Sequence, residues 1–240
     1  MKRPIILPNL LIMAFILAYP VTGVSASRNT SGDFDFYVLA LSWSPDFCAG
    51  QGGKDSEQCG PGRNPGFVLH GLWPQYRKGF PQNCSSVPFP SSLKREFPDL
   101  FPNDRLYAHE WRRHGTCSGL APRDYLSLTQ KLKQTAPIPP RYRHLREPVR
   151  TTTAALKKEF RVVGAGLPEN GMAVFCSGSG RFLKEVFLCY NRQGKPAACS
   201  PEILFKSARS CRQPDFLIRP GRLTKTAGQR RTAWRTENYA

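Results

Sequence analysis

Residues 34–43, FDFYVLALSW, crowd aromatic and β-branched side chains together and predict a buried strand, which Pro45 stops. Residues 48–66 are rich in Gly, Pro and polar side chains and predict a loop closed by cysteines. Phe67, Val68, Leu69 and His70 form a short apolar run, a central strand with His70 at its end. After a second loop over 79–92, residues 106–114 predict a helix that Gly115 stops. A second helix is expected over 123–134, with Leu126 and Leu132 among its apolar positions. A third is expected over 151–160, with Thr151 as its N-cap. Residues 137–148 form a connection rich in proline and arginine, and residues 172–176 and 185–190 return to strand. Helices in the middle with strands before and after predict an α+β domain, with a central antiparallel sheet flanked by helices.

The first residues change the picture of where this domain resides. Lys2 and Arg3 precede an apolar stretch clearest over 10–18, and Val24-Ser25-Ala26 has the small-x-small pattern of a cleavage site. A signal peptide over 1–26 is expected. Pro8, Asn9 and Pro20 leave the apolar run short for a membrane anchor, and no later segment looks transmembrane. The remainder suits one catalytic domain, 27–218, followed by a basic, disordered tail over 219–240 with six bases and one acid. A secreted or periplasmic monomer follows as the expectation.

Charge and cysteines narrow the class. The chain has 35 Lys+Arg against 17 Asp+Glu. Losing Lys2 and Arg3 with the leader leaves 33 against 17, a formal +16. Such a field attracts nucleic acid, anionic membrane or acidic glycans, and by itself does not choose among them. All eight cysteines follow the leader, which predicts disulfides in an oxidising compartment. No Cys-x-x-Cys pair is present, so the usual structural zinc spacing is missing.

Two segments carry the candidate chemistry: GFVLHGLWP over 66–74 and HEWRRHGTC over 109–117, which hold three of the four histidines. On a helix, Glu110 and His114 are an i,i+4 pair, as are His109 and Arg113, so these four can face one pocket while Trp111 and Arg112 point elsewhere. The zinc-protease pattern His-Glu-x-x-His is not met: the second histidine comes one residue late, and Arg113 would repel a metal. Consider RNA as the target instead. Its 2′-hydroxyl can attack the neighbouring phosphodiester, so the reaction needs no metal, cofactor or protein nucleophile. It needs a base, an acid for the departing 5′-oxygen, and donors for the phosphorane.

These segments resemble the paired signature motifs of the ribonuclease T2 family, and the likeness extends to the opening strand and the cysteine plan over most of 34–211. The resemblance implies His70 as general acid and His114 as general base, an assignment that can be exchanged without altering the site. It implies Glu110 as the carboxylate that stabilises the pentacoordinate phosphorus, His109 as a phosphate-binding histidine and Trp73 as a wall of the substrate pocket. Arg113 stands where the family commonly has Lys, and a guanidinium donates differently from an ammonium. Ser42 stands where many members have Gln, and Gln75 occupies a variable position that helps choose bases. The resemblance also implies the pairs Cys84–Cys117, Cys48–Cys59, Cys176–Cys211 and Cys189–Cys199, and an acidic optimum on single-stranded RNA with low base specificity. Products are expected to be 2′,3′-cyclic phosphates and then 3′-phosphates. The competing reading, a cationic RNA- or membrane-binding or antimicrobial protein without turnover, explains the charge but not the gathering of histidines.

Overall fold

The computed structural model describes residues 29–50, 55–63 and 65–221, so the expected leader and most of the expected tail lie outside the described residues. Six strands are present: β1 (Phe36–Trp43), β2 (Phe67–Gln75), β3 (Val149–Thr151), β4 (Met172–Ser177), β5 (Phe182–Tyr190) and β6 (Phe216–Ile218). β1 is buried at every position but Ser42, and its alternate residues serve two cores. Tyr37, Leu39, Leu41 and Trp43 enter the main one, while Phe36, Val38 and Ala40 join a smaller one with Ala173, Cys189 and Ile203. A strand apolar on both faces belongs inside a sheet. β1 accordingly lies between β2 and β5, antiparallel to both.

The sheet order is β2-β1-β5-β6-β3, with β4 pairing β5. Its pairings are antiparallel except for β5 with β6, which meet in parallel at Phe182 and Leu217. β2 is longer than the sequence suggests. It is an edge strand rather than the central one expected, and it runs five residues past His70, through Pro74, which an edge tolerates.

Seven helices are described: α1 (Ser44–Ala49), α2 (Ser56–Cys59), α3 (Leu93–Glu96), α4 (Arg105–Arg113), α5 (Pro122–Thr135), α6 (Thr153–Val163) and α7 (Pro201–Ser210). Tyr107 and Trp111 of α4, Tyr125 and Leu126 of α5, and Leu156 and Phe160 of α6 fill the main core on one sheet face. Ile203 of α7 seals the smaller core on the other. Each such side chain contributes roughly 1.5–3 kcal/mol by leaving water.

Three further expectations need correction. Pro45 does not merely stop β1; it sits in the first turn of α1, where its missing N–H costs nothing. The cap of α6 is Thr152, whose Oγ1 accepts from Ala155 N at 3.1 Å, and Thr151 instead ends β3 opposite Phe216. Arg219, assigned to a disordered tail, is tied down. It pairs with Asp46 at 3.1 Å, its carbonyl accepts from Trp43 Nε1 at 2.9 Å, and its guanidinium stacks on Phe182 at 3.5 Å.

All four cysteine pairs form as the resemblance implies: Cys48–Cys59, Cys84–Cys117, Cys176–Cys211 and Cys189–Cys199. Among the described residues no helix is long and apolar enough to cross a membrane.

Candidate active site

His70 sits at a break in register. Ala40 of β1 faces Gly71 and Leu41 faces Leu69, which leaves His70 as the extra residue of a β-bulge. The bulge resets the alternation of β2, so that Leu69 and Leu72 both reach the main core although they are three residues apart. His70 and Trp73 are left together, their rings meeting edge to face at 4.9 Å.

Gly71 is required by space. A Cβ there would fall 2.1 Å from Glu110 Oε2 and 2.2 Å from Trp73 Nε1. With no side chain in the way, Glu110 crosses from α4 and accepts a hydrogen bond from Trp73 Nε1 at 2.8 Å.

The histidine at the end of α4 is held differently from a helical residue. His114 has left helical angles, at φ −123° and ψ −46°, while its N–H still donates to Glu110 O at 2.9 Å. A 3-10 turn, Gly115–Cys117, follows and is clamped by Cys84–Cys117. Cys84 N donates to Thr116 Oγ1 at 3.1 Å and Asn83 N to Arg113 O at 3.0 Å. Gly115 is pressed under Trp111, where a Cβ would fall 2.4 Å from the ring. The His114 ring lies tilted by 31° against Trp73 at 5.1 Å. One indole therefore touches both imidazoles and bonds the carboxyl.

The expected helical stripe is met in part. Glu110 and His114 are buried at the centre of the group, Trp111 is in the core and Arg112 is exposed. His109 is exposed on the helix surface and Arg113 is half-buried in its last turn. Both sit near enough for their charge to act on His114.

The two imidazoles are driven in opposite directions. Burial pulls His70 down, but the hydrogen bond and charge of Glu185, with the charge of Glu110, outweigh burial and Lys184 and raise it above the usual histidine value. Burial, then the positive charges of Arg113, His70 and His109, push His114 down to about 3. Its Nδ1 is buried without a hydrogen-bond partner. Burial lifts Glu110 to about 7, against the lowering effects of His70, the Trp73 hydrogen bond and Arg113. Burial and the neighbouring Arg112, Arg113 and His70 lower His109. One imidazole that keeps its proton beside one that does not can give and take protons in a single event. A cleft of about 680 Å³ adjoins His70, with Ser42, Val68, Asn103, Leu106 and Glu185 among its walls.

The model of the Ribonuclease T2 family matches residues 34–199. This chain belongs to the ribonuclease T2 family. As a member it is an RNA-cleaving enzyme. A ribonuclease of Aeromonas hydrophila is 37% identical over 219 residues, covering 87% of this chain and 96% of that protein. The crystal structure of RNase NT in complex with 5′-AMP aligns with a TM-score of 0.50 at 25% identity, covering 70% of this chain and 91% of that one. Ribonuclease MC1 from bitter gourd seeds shares the fold at 23% identity, with a TM-score of 0.51 over 67% of this chain and 91% of that one.

This T2 ribonuclease also holds a group that the sequence reading passed over. Glu185 of β5 is buried, and its Oε1 lies 2.7 Å from His70 Nδ1. The only trace of it in the sequence is a Lys-Glu pair inside an otherwise apolar strand, FLKEVFLCY, where a charge on the buried side needs a partner.

Proposed function

We propose that this T2 ribonuclease is a secreted or periplasmic endonuclease that cleaves single-stranded RNA by transphosphorylation, with low base specificity. The leader pattern over 1–26 and the four disulfides support the compartment. The catalytic domain takes in Arg219, which is tied to Asp46 and Trp43, and the basic residues beyond add attraction for RNA.

In this reading His114, neutral above about pH 3, takes the proton of the 2′-hydroxyl. The oxygen attacks the adjacent phosphorus. His70, held protonated beside Glu185, gives its proton to the departing 5′-oxygen. Glu110, which keeps its proton below about pH 7, donates to the phosphorane, the Arg113 cation offsets its negative charge, and His109 adds a ring N–H donor for the phosphate. Trp73 forms the wall against which both imidazoles and the carboxyl are aligned. The product is a 2′,3′-cyclic phosphate. Water then opens it to a 3′-phosphate with the two histidines exchanging roles. The observation that carries this reading is the pair of imidazoles on one indole, each in an environment that favours the opposite protonation state.

Turnover on single-stranded RNA, its 2′-O-methyl analogue and DNA tests the reading. Only unmodified RNA should be cut. His70→Ala and His114→Ala should each lose about 10²–10⁴-fold in kcat. Cleavage of the 2′-O-methyl strand, or wild-type turnover in either variant, would contradict it.

A further inference from the structure

Glu185 performs no step in the reaction above, yet its side chain is held at 9% exposure beside a His70 side chain that is 43% exposed. A buried carboxylate needs partners. Both of its partners bind the same atom: His70 Nδ1 lies 2.7 Å from Oε1, and Ser42 Oγ donates to Oε1 at 2.9 Å. The three residues come from three adjacent strands, with Ser42 of β1 directly opposite Glu185 of β5. The two outer strands are both bulged at this row. His70 is the extra residue of β2, and Lys184 is the extra residue of β5, since Phe175 faces Glu185 and Cys176 faces Leu183. Ser42 and Glu185 face each other in regular register, and the bulge in β2 sets His70 beside them. A carboxylate only accepts, so Nδ1 carries a proton and Nε2 is left free for substrate.

We propose that Glu185, steadied by Ser42, is a positioning residue for His70: it holds the imidazole by Nδ1–H and presents a protonated Nε2 to the departing 5′-oxygen. The proposal rests on the reading of His70 as the general acid. The charged groups around that imidazole are Lys184 and Glu185 from β5, and Glu110, His109 and His114 from α4 and its end. Among them Glu185 is the one in hydrogen-bond contact. Removing its charge leaves burial and the neighbouring cations to pull the His70 proton off at lower pH.

The test compares Glu185→Gln, Glu185→Asp, Ser42→Ala and His70→Ala on two substrates. One is a dinucleotide, whose alkoxide leaving group needs a proton. The other is uridine 3′-(4-nitrophenyl phosphate), whose leaving group departs without one. On the dinucleotide, Glu185→Gln should lose about 10–100-fold in kcat with KM little changed, and the alkaline limb of its pH profile should move to lower pH. Glu185→Asp should recover part of the loss, and Ser42→Ala should show a smaller loss of the same kind. On the aryl ester Glu185→Gln should stay near wild type, and in a His70→Ala background it should cost nothing more. Equal losses of Glu185→Gln on both substrates, or an unmoved pH profile, would overturn the proposal. Equal losses of His70→Ala on both would instead overturn the acid role of His70, and this proposal with it.

Discussion

At Gly71 one absent methyl group decides whether a carboxyl and an indole can meet. A Cβ would intrude to 2.1 Å from Glu110 Oε2 and 2.2 Å from Trp73 Nε1, so one of these side chains would have to give way. Gly71→Ala should cost about 1–3 kcal/mol of stability by overpacking and lower kcat by at least about tenfold, because Glu110 leaves Trp73. Thermal unfolding and steady-state kinetics check it; unchanged values of both would mean that the contact does not govern the site. Most of the site was legible at this scale. His70, His114 and Glu110 stand out because histidines are few and two short segments collect most of them. Glu185 was not legible, because its bond to His70 spans 115 residues and meets His70 at a bulge that no local pattern announces. Nor was the departure of His114 from helical geometry, which the following Gly115 permits by fitting under Trp111.

The α4 helix delivers its chemistry from its last turn, so its end has to be fixed more firmly than its start. Cys84–Cys117, with a sequence separation of 33, ties the inter-motif loop to the turn that follows His114. Replacing both cysteines by Ala should cost roughly 2–4 kcal/mol. Below the melting temperature kcat should still fall, as the turn that aims His114 loosens. Full activity in the folded variant would show that Thr116 and the backbone bonds suffice. Elements with a strong period or composition were readable: β1, α4 and α5 fall within one or two residues of expectation. β3 and β6 have three residues each, too few for a period. α7 carried a start signal in Ser200-Pro201-Glu202, and Ser200 Oγ does accept from Ile203 N at 3.3 Å. Its exposed Phe205 blurs the apolar stripe that would have marked the rest.

Across the molecule, one sheet with two unequal cores sets the histidines from β2 and the α4 end on either side of Trp73, and disulfides close the loops around them. The excess of bases, a formal +16 once Lys2 and Arg3 leave with the expected leader, favours approach of a polyanion and leaves the choice of RNA to the site. The protonation states give the pH range in which the whole assembly works. Turnover is expected to need pH above about 3, where His114 sheds its proton, and to fade as pH rises through about 7, where Glu110 loses its own.

The most direct test of this account is the chemistry of the product ends. The oxidatively folded protein would be incubated with a short single-stranded RNA at mildly acidic pH in EDTA, beside His114→Ala, and the ends identified by mass spectrometry. The account predicts 2′,3′-cyclic phosphates that mature slowly to 3′-phosphates, from the wild type alone. Cleavage that leaves 5′-phosphates, that stops in EDTA, or that persists at full rate without His114 would contradict it.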